Sequence, residues 1–375
     1  MSVKYMGSKR VMLMNGFGEA IVEQAGHSDR IVDLFAGSGA VAWYAAQATD
    51  RPVHAYDLQQ YSAVLSRAVV GRTKRIDARA LTKRWLDPTR KAIRRSRLCK
   101  GTDCDYLTVA GVYAARQRVA QHQGSGPLWR AYGGHYFSPQ QALTLDFALR
   151  YLPERDPHRS VCHAAVIAAA AYCAAAPGHT AQPFQPTSTA LRYIAESWAR
   201  DPLGRIEAWL ADVAGRHATQ RGEAGVADAL TMTRELQPSD LVIVDPPYSA
   251  VQYSRFYHVL ETVASGEDVE VDGVGRYPPA EARPSSAFSR RTQSEVAITE
   301  LFDGLAEAGC RALVTFPAGE SSNGLSGARV FSLAKERFDV SAKTVLGRFS
   351  TMGGNNALRA SRKPSAELIL RLLPR

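Results

Sequence analysis

The strongest chemical signal in the sequence is a tetrapeptide at the end of an apolar predicted strand. The strand ends at Asp245, and Pro246, Pro247 and Tyr248 follow it directly. Two prolines fix the backbone and remove two N–H donors, which leaves carbonyl groups free to point into a pocket. The Asp245 carboxylate and the Pro246 carbonyl can each accept one N–H of a planar exocyclic amine, while Tyr248 stacks on its ring. In a nucleic-acid duplex, such an amine becomes accessible only when its base is flipped out. The alternative is a proline-stiffened strand end with a helix-capping aspartate.

A second candidate site is a glycine-rich turn near the start of the chain. Residues 33–39 read Asp-Leu-Phe-Ala-Gly-Ser-Gly, and Asp57 ends the next predicted strand 18 residues after Gly39. A strand-turn-helix junction of this kind binds nucleotide cofactors, because its glycines let the backbone approach the ligand and the acid meets the ribose hydroxyls. The spacing Gly37-x-Gly39-x-x-Ala42 fits both NAD and S-adenosylmethionine. Asp33 favours S-adenosylmethionine, since a carboxylate suits the ammonium of a methionine moiety and repels a pyrophosphate.

Alternating strands and helices surround these motifs at both ends of the chain. The predicted strands are 30–35, 53–57, 240–245, 312–316, 340–345 and 367–372, and residues 40–49 are a predicted helix. Residues 62–222 show long helical patterns without such alternation. We therefore expect an α/β catalytic domain of the doubly wound, Rossmann-like kind, built from residues 1–61 and 223–375. A large helical insertion over residues 62–222 interrupts it.

The net charge of the chain is concentrated in one segment. The 375 residues include 46 basic and 36 acidic ones, a formal charge of +10, and residues 72–100 hold twelve basic and two acidic residues. A polyanion is the expected partner of this segment, because each neutralised phosphate releases counterions. A solvated helix face is the alternative. Trp85 and Leu98 indicate a docked helical element. The candidate nucleic-acid contacts are Arg84, Arg90, Lys91, Arg94, Arg95 and Arg97.

Other protein classes are disfavoured by composition. The longest apolar run is well short of the roughly 20 residues that a membrane span needs. Residues 1–7 lack the apolar core of a secretion signal, so we expect a cytoplasmic protein without a membrane anchor. Five cysteines at irregular spacings do not suggest a disulfide framework. The close pair Cys99 and Cys104 has no second pair with which to bind zinc, so no metal is expected.

Three motifs in their order along the chain resemble one enzyme family. Residues 33–39 together with Asp245-Pro-Pro-Tyr are similar to the amino-group methyltransferases of DNA. Residues 4–9, Lys-Tyr-Met-Gly-Ser-Lys, resemble the N-terminal element of the Dam-like, D12-class N6-adenine methyltransferases. Residues 252–258 resemble a subset of modification methylases of restriction systems. The resemblance implies a Rossmann-like, S-adenosylmethionine-dependent methyltransferase fold. Residues 62–222 match no recognition domain, so the target sequence is not predicted.

The resemblance also implies roles for individual residues. Tyr5 and Lys9 are expected to line the cofactor and target pocket, and Asp57 to bind the ribose hydroxyls. Asp228 matches the acid expected near the adenine of the cofactor, with an ordinary surface or cap aspartate as the alternative. The aspartate of the tetrapeptide favours adenine over cytosine, since the cytosine-N4 enzymes more often carry serine there. The turn residues expected to hold the cofactor are Asp33, Phe35, Ala36, Gly37, Ser38 and Gly39.

We therefore expect a site-specific enzyme that transfers a methyl group from S-adenosylmethionine to N6 of adenine in double-stranded DNA. A cognate restriction endonuclease or another defence-system protein is a candidate partner. The nearest rival is a cytosine-N4 or RNA amino-methyltransferase. More distant rivals are an NAD-linked oxidoreductase, which rests on the glycine spacing alone, and a DNA-binding protein with a degenerate pocket.

Overall fold

The computed structural model describes residues 9–99, 108–122, 126–348 and 364–375, without the side chains of residues 99, 347, 348, 364 and 365. In this part of the chain the strands are β1 Arg30–Asp33, β2 Val53–Asp57, β3 Glu223–Val226, β4 Asp240–Val244, β5 Arg311–Pro317, β6 Phe338–Arg348 and β7 Pro364–Pro374. The helices are α1 Arg10–Met12, α2 Gly18–Ala25, α3 Ala40–Ala48, α4 Gln60–Val70, α5 Ala78–Arg95, α6 Val109–Gln121, α7 Pro127–Tyr132, α8 Pro139–Arg150, α9 His158–Cys173, α10 Leu191–Trp198, α11 Pro202–Val213, α12 Ala229–Met232, α13 Tyr253–Ser265, α14 Ser294–Glu307 and α15 Gly327–Lys335. None of these helices is both long and apolar enough to cross a membrane.

The chain divides into two compact units. A sheet unit comprises the described parts of residues 7–74, 217–253 and 284–375, and a helical unit comprises those of 75–216 and 254–283. Helix α4 lies in the sheet unit, where it packs against β2 and β3.

All seven strands form one mixed sheet in the order β3-β2-β1-β4-β5-β7-β6. The neighbours from β3 to β5 are parallel, whereas β7 runs antiparallel to both β5 and β6. This mixed α/β architecture with a seven-stranded sheet is consistent with a methyltransferase fold. Because β1 and β4 are adjacent, the helices that follow them leave in opposite directions, and such a switch point is where open α/β sheets bind ligands.

Alternation along the central strands explains why helices cover both faces of the sheet. On β1 and β4, Val32 and Val242 pack into one apolar cluster with α14 and α15. Their neighbours Ile31 and Ile243 pack into a second cluster with α2 and α3. Successive side chains on a strand point to opposite faces, so a continuous apolar run is buried on both sides.

The helical unit is built around α9, whose alanine-rich stretch from Ala164 to Ala170 is buried. Small side chains let α11 approach it closely, and these two helices share the most extensive helix–helix packing of the described residues. The apolar run that the sequence shows at this position is therefore a core helix.

All six predicted strands are found, with ends shifted by a few residues, and the helix after the glycine-rich turn spans Ala40–Ala48. Strand β3 was not predicted; it is short, contains Gly225 and pairs with β2 alone among the described strands. Phe288 lies in a stretch rich in proline, serine and charged residues, yet it is buried in the core of the sheet unit.

Candidate functional site

Three carboxylates from separate stretches of the chain lie at the same edge of the sheet. Asp33 is the last residue of β1, Asp57 is the last residue of β2, and Asp245 directly follows β4. Asp33 pairs in register with Ile243 of β4, and β1 and β2 also run parallel. Parallel strands bring their carboxyl ends to one edge, so the two motifs of the sequence form one candidate site.

The glycine-rich turn has the tight geometry that its glycines permit. Gly37 and Gly39 both adopt left-handed backbone conformations, with φ of 51° and 75°. A Cβ atom on Gly39 would lie 3.1 Å from the Trp43 side chain, so an L-residue would be strained there. Ser38 lies half-buried between the two glycines, and the Ala36 N–H donates to the Tyr56 carbonyl at 3.0 Å.

Asp33 is a buried carboxylate that is only partly satisfied. It is 1% exposed, and its Oδ1 accepts the Phe35 N–H at 3.2 Å. Its Oδ2 is buried without a hydrogen-bond partner among the described residues. Burial, with smaller contributions from the charges of Asp245 and Asp57, raises the pKa of Asp33 to about 8. A buried carboxylate of this kind favours a cation or a hydrogen-bond donor as its ligand.

Phe35 and Asp57 support the same turn from either side. The Phe35 ring packs edge-on against Phe288, with centroids 5.2 Å apart. Asp57 accepts the Gly37 N–H at 2.8 Å through Oδ2 and the Gln59 N–H at 3.0 Å through Oδ1. Burial raises the pKa of Asp57, whereas these backbone donors oppose the shift. Asp57 therefore already holds the turn in place, whatever it does for a ligand.

Asp245 takes part in a charged cluster with Lys9 and Glu367. The Lys9 ammonium lies 3.0 Å from Asp245 Oδ1 and 2.9 Å from Glu367 Oε2. Thr315 on β5 donates its hydroxyl to the same Oδ1 at 2.7 Å. No described residue donates to Oδ2 of Asp245, whose side chain is 19% exposed. One carboxylate oxygen is thus anchored and the other is available to a ligand.

The charges within this cluster shift each other's titration. Burial raises the pKa of Asp245, although the ammonium of Lys9 opposes the shift. Burial alone would lower the pKa of Lys9, which is 3% exposed, but the two carboxylates outweigh burial and raise it. Lys9 therefore remains protonated, and the cluster carries a net negative charge when both acids are ionised.

The remaining residues of the tetrapeptide are held by Asn323, which is fully buried. Its side-chain amide donates to the Pro247 carbonyl at 3.2 Å and to the Phe288 carbonyl at 3.0 Å. No hydrogen-bond donor to the carbonyl of the buried Pro246 is found among the described residues. Tyr248 is half-buried, with the Lys9 ammonium 5.6 Å from its ring centroid.

Asp228 and Tyr5 were also predicted to bind the cofactor. Asp228 caps the N-terminus of α12, where its Oδ1 accepts the backbone N–H groups of Leu230 and Thr231 at 2.9 and 3.4 Å. This is the geometry of the alternative considered for it. Tyr5 lies outside the described residues, as does Cys104, and the side chain of Cys99 is not described.

The basic segment forms a separate candidate site on α5, within the helical unit. Leu81, Trp85 and Leu86 are buried, and Trp85 donates its indole N–H to the Ala148 carbonyl at 3.1 Å. Five of the six predicted contacts are exposed: Arg84, Lys91, Arg94, Arg95 and Arg97. The sixth, Arg90, forms salt bridges with Glu207 and Asp87, so its charge is already compensated.

Sequence reasoning missed three residues that shape the site. Glu367 and Thr315 reach Asp245 from β7 and β5, and Asn323 reaches the tetrapeptide from the loop after β5. The only trace of Thr315 in the sequence is a polar residue inside an apolar strand. No local pattern identifies Glu367, because antiparallel pairing with β5 is what brings it to this edge.

A comparison with protein families is consistent with this geometry. Residues 5–92 match the sequence model of the D12 class N6 adenine-specific DNA methyltransferases. The match includes Lys9, the glycine-rich turn, Asp57 and most of α5, but not the tetrapeptide at Asp245. No curated protein matches the chain significantly. Over residues 5–92 this match confirms the resemblance of the chain to the D12 class.

Proposed function

We propose that the protein is a site-specific DNA methyltransferase that uses S-adenosylmethionine to methylate N6 of adenine in double-stranded DNA. The observation that carries the proposal is the position of Asp245-Pro-Pro-Tyr248 beside the Asp33 turn, at one edge of the sheet. Methyl transfer to an amine requires a site for the cofactor and a site for the amine, and the two motifs that we assign to these roles lie at the same edge.

The residues of the turn fit S-adenosylmethionine. The unpartnered Oδ2 of Asp33 suits the ammonium of the methionine moiety, and the left-handed glycines allow its carboxylate to approach the backbone. Asp57 ends β2 at the same edge, the position from which an acid reaches the ribose hydroxyls of a nucleotide cofactor. An ammonium ligand favours the ionised form of Asp33 despite its raised pKa, and in that form Asp33 disfavours a dinucleotide, because its charge repels a pyrophosphate. The sheet order supports a Rossmann-like methyltransferase fold.

The tetrapeptide fits the amine of adenine. The free Oδ2 of Asp245 and the Pro246 carbonyl each accept one N6 hydrogen, while Tyr248 stacks on the base. These two bonds turn the nitrogen lone pair toward the cofactor side of the site. S-adenosylmethionine supplies a methyl group on a positively charged sulfur. As N6 bonds to this carbon, the C–S bond breaks and its electrons remain on sulfur. The extra proton on N6 then leaves to solvent, so alignment does most of the work.

Most of the proposed DNA-recognition part lies in the helical unit, with α5 as its first contact. Residues 1–61 and 223–375 remain the proposed catalytic part and 62–222 the proposed recognition part. Adenine N6 in a duplex becomes accessible when the base is flipped out, so we propose base flipping as part of the reaction. We also propose a cytoplasmic location, and a restriction endonuclease or another defence-system protein is the candidate partner.

The test is single-molecule sequencing of DNA from a methylation-deficient bacterial host that expresses the chain. We expect N6-methyladenine in one recurring sequence context, and its loss in the Asp245→Ala variant. That variant should still bind S-adenosylmethionine, because Asp33 and the turn are unchanged, and calorimetry checks this. N4-methylcytosine instead would favour the cytosine enzyme. Methylation that persists in Asp245→Ala would refute the role given to Asp245.

A further inference from the structure

In the helical unit, the guanidinium groups of two arginines lie over the ring of one tyrosine. The proposed reaction uses none of these three residues. The guanidinium carbon of Arg255 lies 4.9 Å from the ring centroid of Tyr277, and that of Arg283 lies 5.7 Å from it. Arg255 is exposed, whereas Arg283 and Tyr277 are half-buried. We call these three side chains the Arg–Tyr–Arg cluster.

In the part of the chain that the structure describes, the positive charge of this cluster is not paired with a carboxylate. Among the described residues, no carboxylate forms a salt bridge with Arg255 or Arg283, and the buried Nε of Arg283 has no hydrogen-bond partner. Arg130 and Arg90 of the same unit, in contrast, pair with Asp268 and Glu207. Two like charges on one ring repel each other, and an anion bound to both would remove this repulsion.

The tyrosine ring is fixed in place by the fold. Tyr277 and Asp272 exchange backbone hydrogen bonds of 3.0 Å across a short hairpin. The Tyr136 hydroxyl donates to the Gly275 carbonyl in that hairpin at 2.9 Å, and the buried His258 ring lies 5.0 Å from the Tyr277 ring. The platform for the two guanidinium groups is therefore present before any ligand arrives, which lowers the entropy lost on binding.

We propose that Arg255 and Arg283 together bind one phosphate of the DNA backbone, with Tyr277 as the positioning residue. The guanidinium group presents a rigid fork of donors that matches phosphate oxygens, and it stacks on aromatic rings while doing so. Such an interaction fixes the register of the DNA without reading its sequence. The inference rests on the proposed function for its choice of DNA, and it adds a phosphate-binding site separate from α5.

The test is the salt dependence of duplex DNA binding, measured by fluorescence anisotropy in a series of potassium chloride concentrations. The variants are Arg255→Gln, Arg283→Gln and the double variant. When one phosphate is no longer neutralised, the slope of log affinity against log salt should fall by about 0.9. Because both arginines bind the same phosphate, the slope of the double variant should fall by about 0.9 and not by twice that amount.

Matched variants separate this site from a general reduction of charge. Arg150 lies 5.2 Å from the Phe147 ring as a single guanidinium on a single ring, so Arg150→Gln should leave the slope unchanged. Tyr277→Phe keeps the platform and should bind as the wild type does. Tyr277→Leu removes it and should bind more weakly. Thermal denaturation of each variant confirms that it is folded.

The outcomes are distinct. An unchanged slope in the double variant would overturn the proposal, and a decrease of about 1.8 would show two separate phosphates and overturn the shared site. The proposal would also be overturned if the two arginine variants weakened binding to RNA but not to DNA. Methyl transfer to DNA is measured on the same wild-type sample. If the slope of the double variant falls by about 0.9 but the wild type transfers no methyl group, the proposed function alone is refuted. If the wild type transfers methyl groups but the slope does not change, the shared phosphate site alone is refuted.

Discussion

Asp33 is the single residue with the clearest consequence for pH dependence. Its pKa rises from 3.8 in the unfolded chain to about 8 in the folded protein, mainly because of burial. Between these pH values the folded state binds the proton more tightly than the unfolded state does. The free energy of unfolding therefore falls as pH rises through this window, and the decrease is complete above it.

We predict that Asp33→Asn removes this contribution. The difference in free energy of unfolding between the variant and the wild type should move in favour of the variant from pH 5 to pH 9, by at least about 1.4 kcal/mol, the equivalent of one pKa unit. Urea denaturation at several pH values measures it. Because Asp57 and Asp245 are present in both proteins, the difference isolates Asp33. A difference that does not change with pH would contradict the assigned burial effect.

Lys9 and Glu367 illustrate a second point at the scale of residues. An ammonium placed between two half-buried carboxylates holds Asp245 through one oxygen, and no described residue donates to the other. Burying charges is costly unless each has a partner, so removing one member of the cluster would leave an uncompensated charge at the site. The arrangement fixes the orientation of the carboxylate that we propose to bind the target amine.

The turn between β1 and α3 shows how an element imposes a residue type. Gly39, the N-cap of α3, has a left-handed conformation, which costs roughly 1–2 kcal/mol for an L-residue. A side chain there would also press against Trp43 and Ser66. The element therefore requires glycine for two independent reasons.

We predict that Gly39→Ala lowers the free energy of unfolding by at least about 1 kcal/mol and weakens S-adenosylmethionine binding, because the turn must move. Gly319→Ala is the matched control in the same unit, since no atom lies within 4 Å of its added Cβ. It should change stability by under about 0.5 kcal/mol. Thermal denaturation and calorimetry test both variants, and equal effects from the two would contradict the argument.

At the scale of the whole molecule, the net charge of +10 favours binding to a polyanion. Structure removes Arg90 from the set of free cations on α5 by pairing it with Glu207, and it buries Arg72, whose pKa burial lowers to about 10. The exposed members of the segment remain available to a polyanion.

We predict that replacing Arg84, Lys91, Arg94, Arg95 and Arg97 by glutamine weakens DNA binding and lowers its salt slope by about 0.9 for each phosphate that is no longer neutralised. Arg90→Gln is the control, and it should leave the slope unchanged while altering stability by under about 1 kcal/mol. Filter binding over a salt series distinguishes them. A slope that the five-residue variant does not change would make α5 an ordinary solvated helix.

Local motifs made much of this protein predictable from its sequence. The strand that ends at Asp33, the glycine-rich turn and the Asp245 tetrapeptide are each a continuous stretch of sequence. The chemistry of each depends on residues that are neighbours along the chain. Each motif was predicted to follow an apolar strand, whereas their meeting at one edge depends on the pairing of β1 with β4. The family match over residues 5–92 confirms the resemblance that these residues suggested.

Tertiary structure alone decided which side chains complete the site. Glu367 and Thr315 reach Asp245, and Asn323 supports the tetrapeptide, although none belongs to a motif. Tertiary structure also pairs Arg90 with Glu207 and places the guanidinium groups of Arg255 and Arg283 over the ring of Tyr277. Contacts between residues distant in sequence depend on strand order and helix packing, which arise from burial summed over many residues. Local patterns determine elements and motifs, whereas the partners of a charge are set by the packing that brings distant segments together.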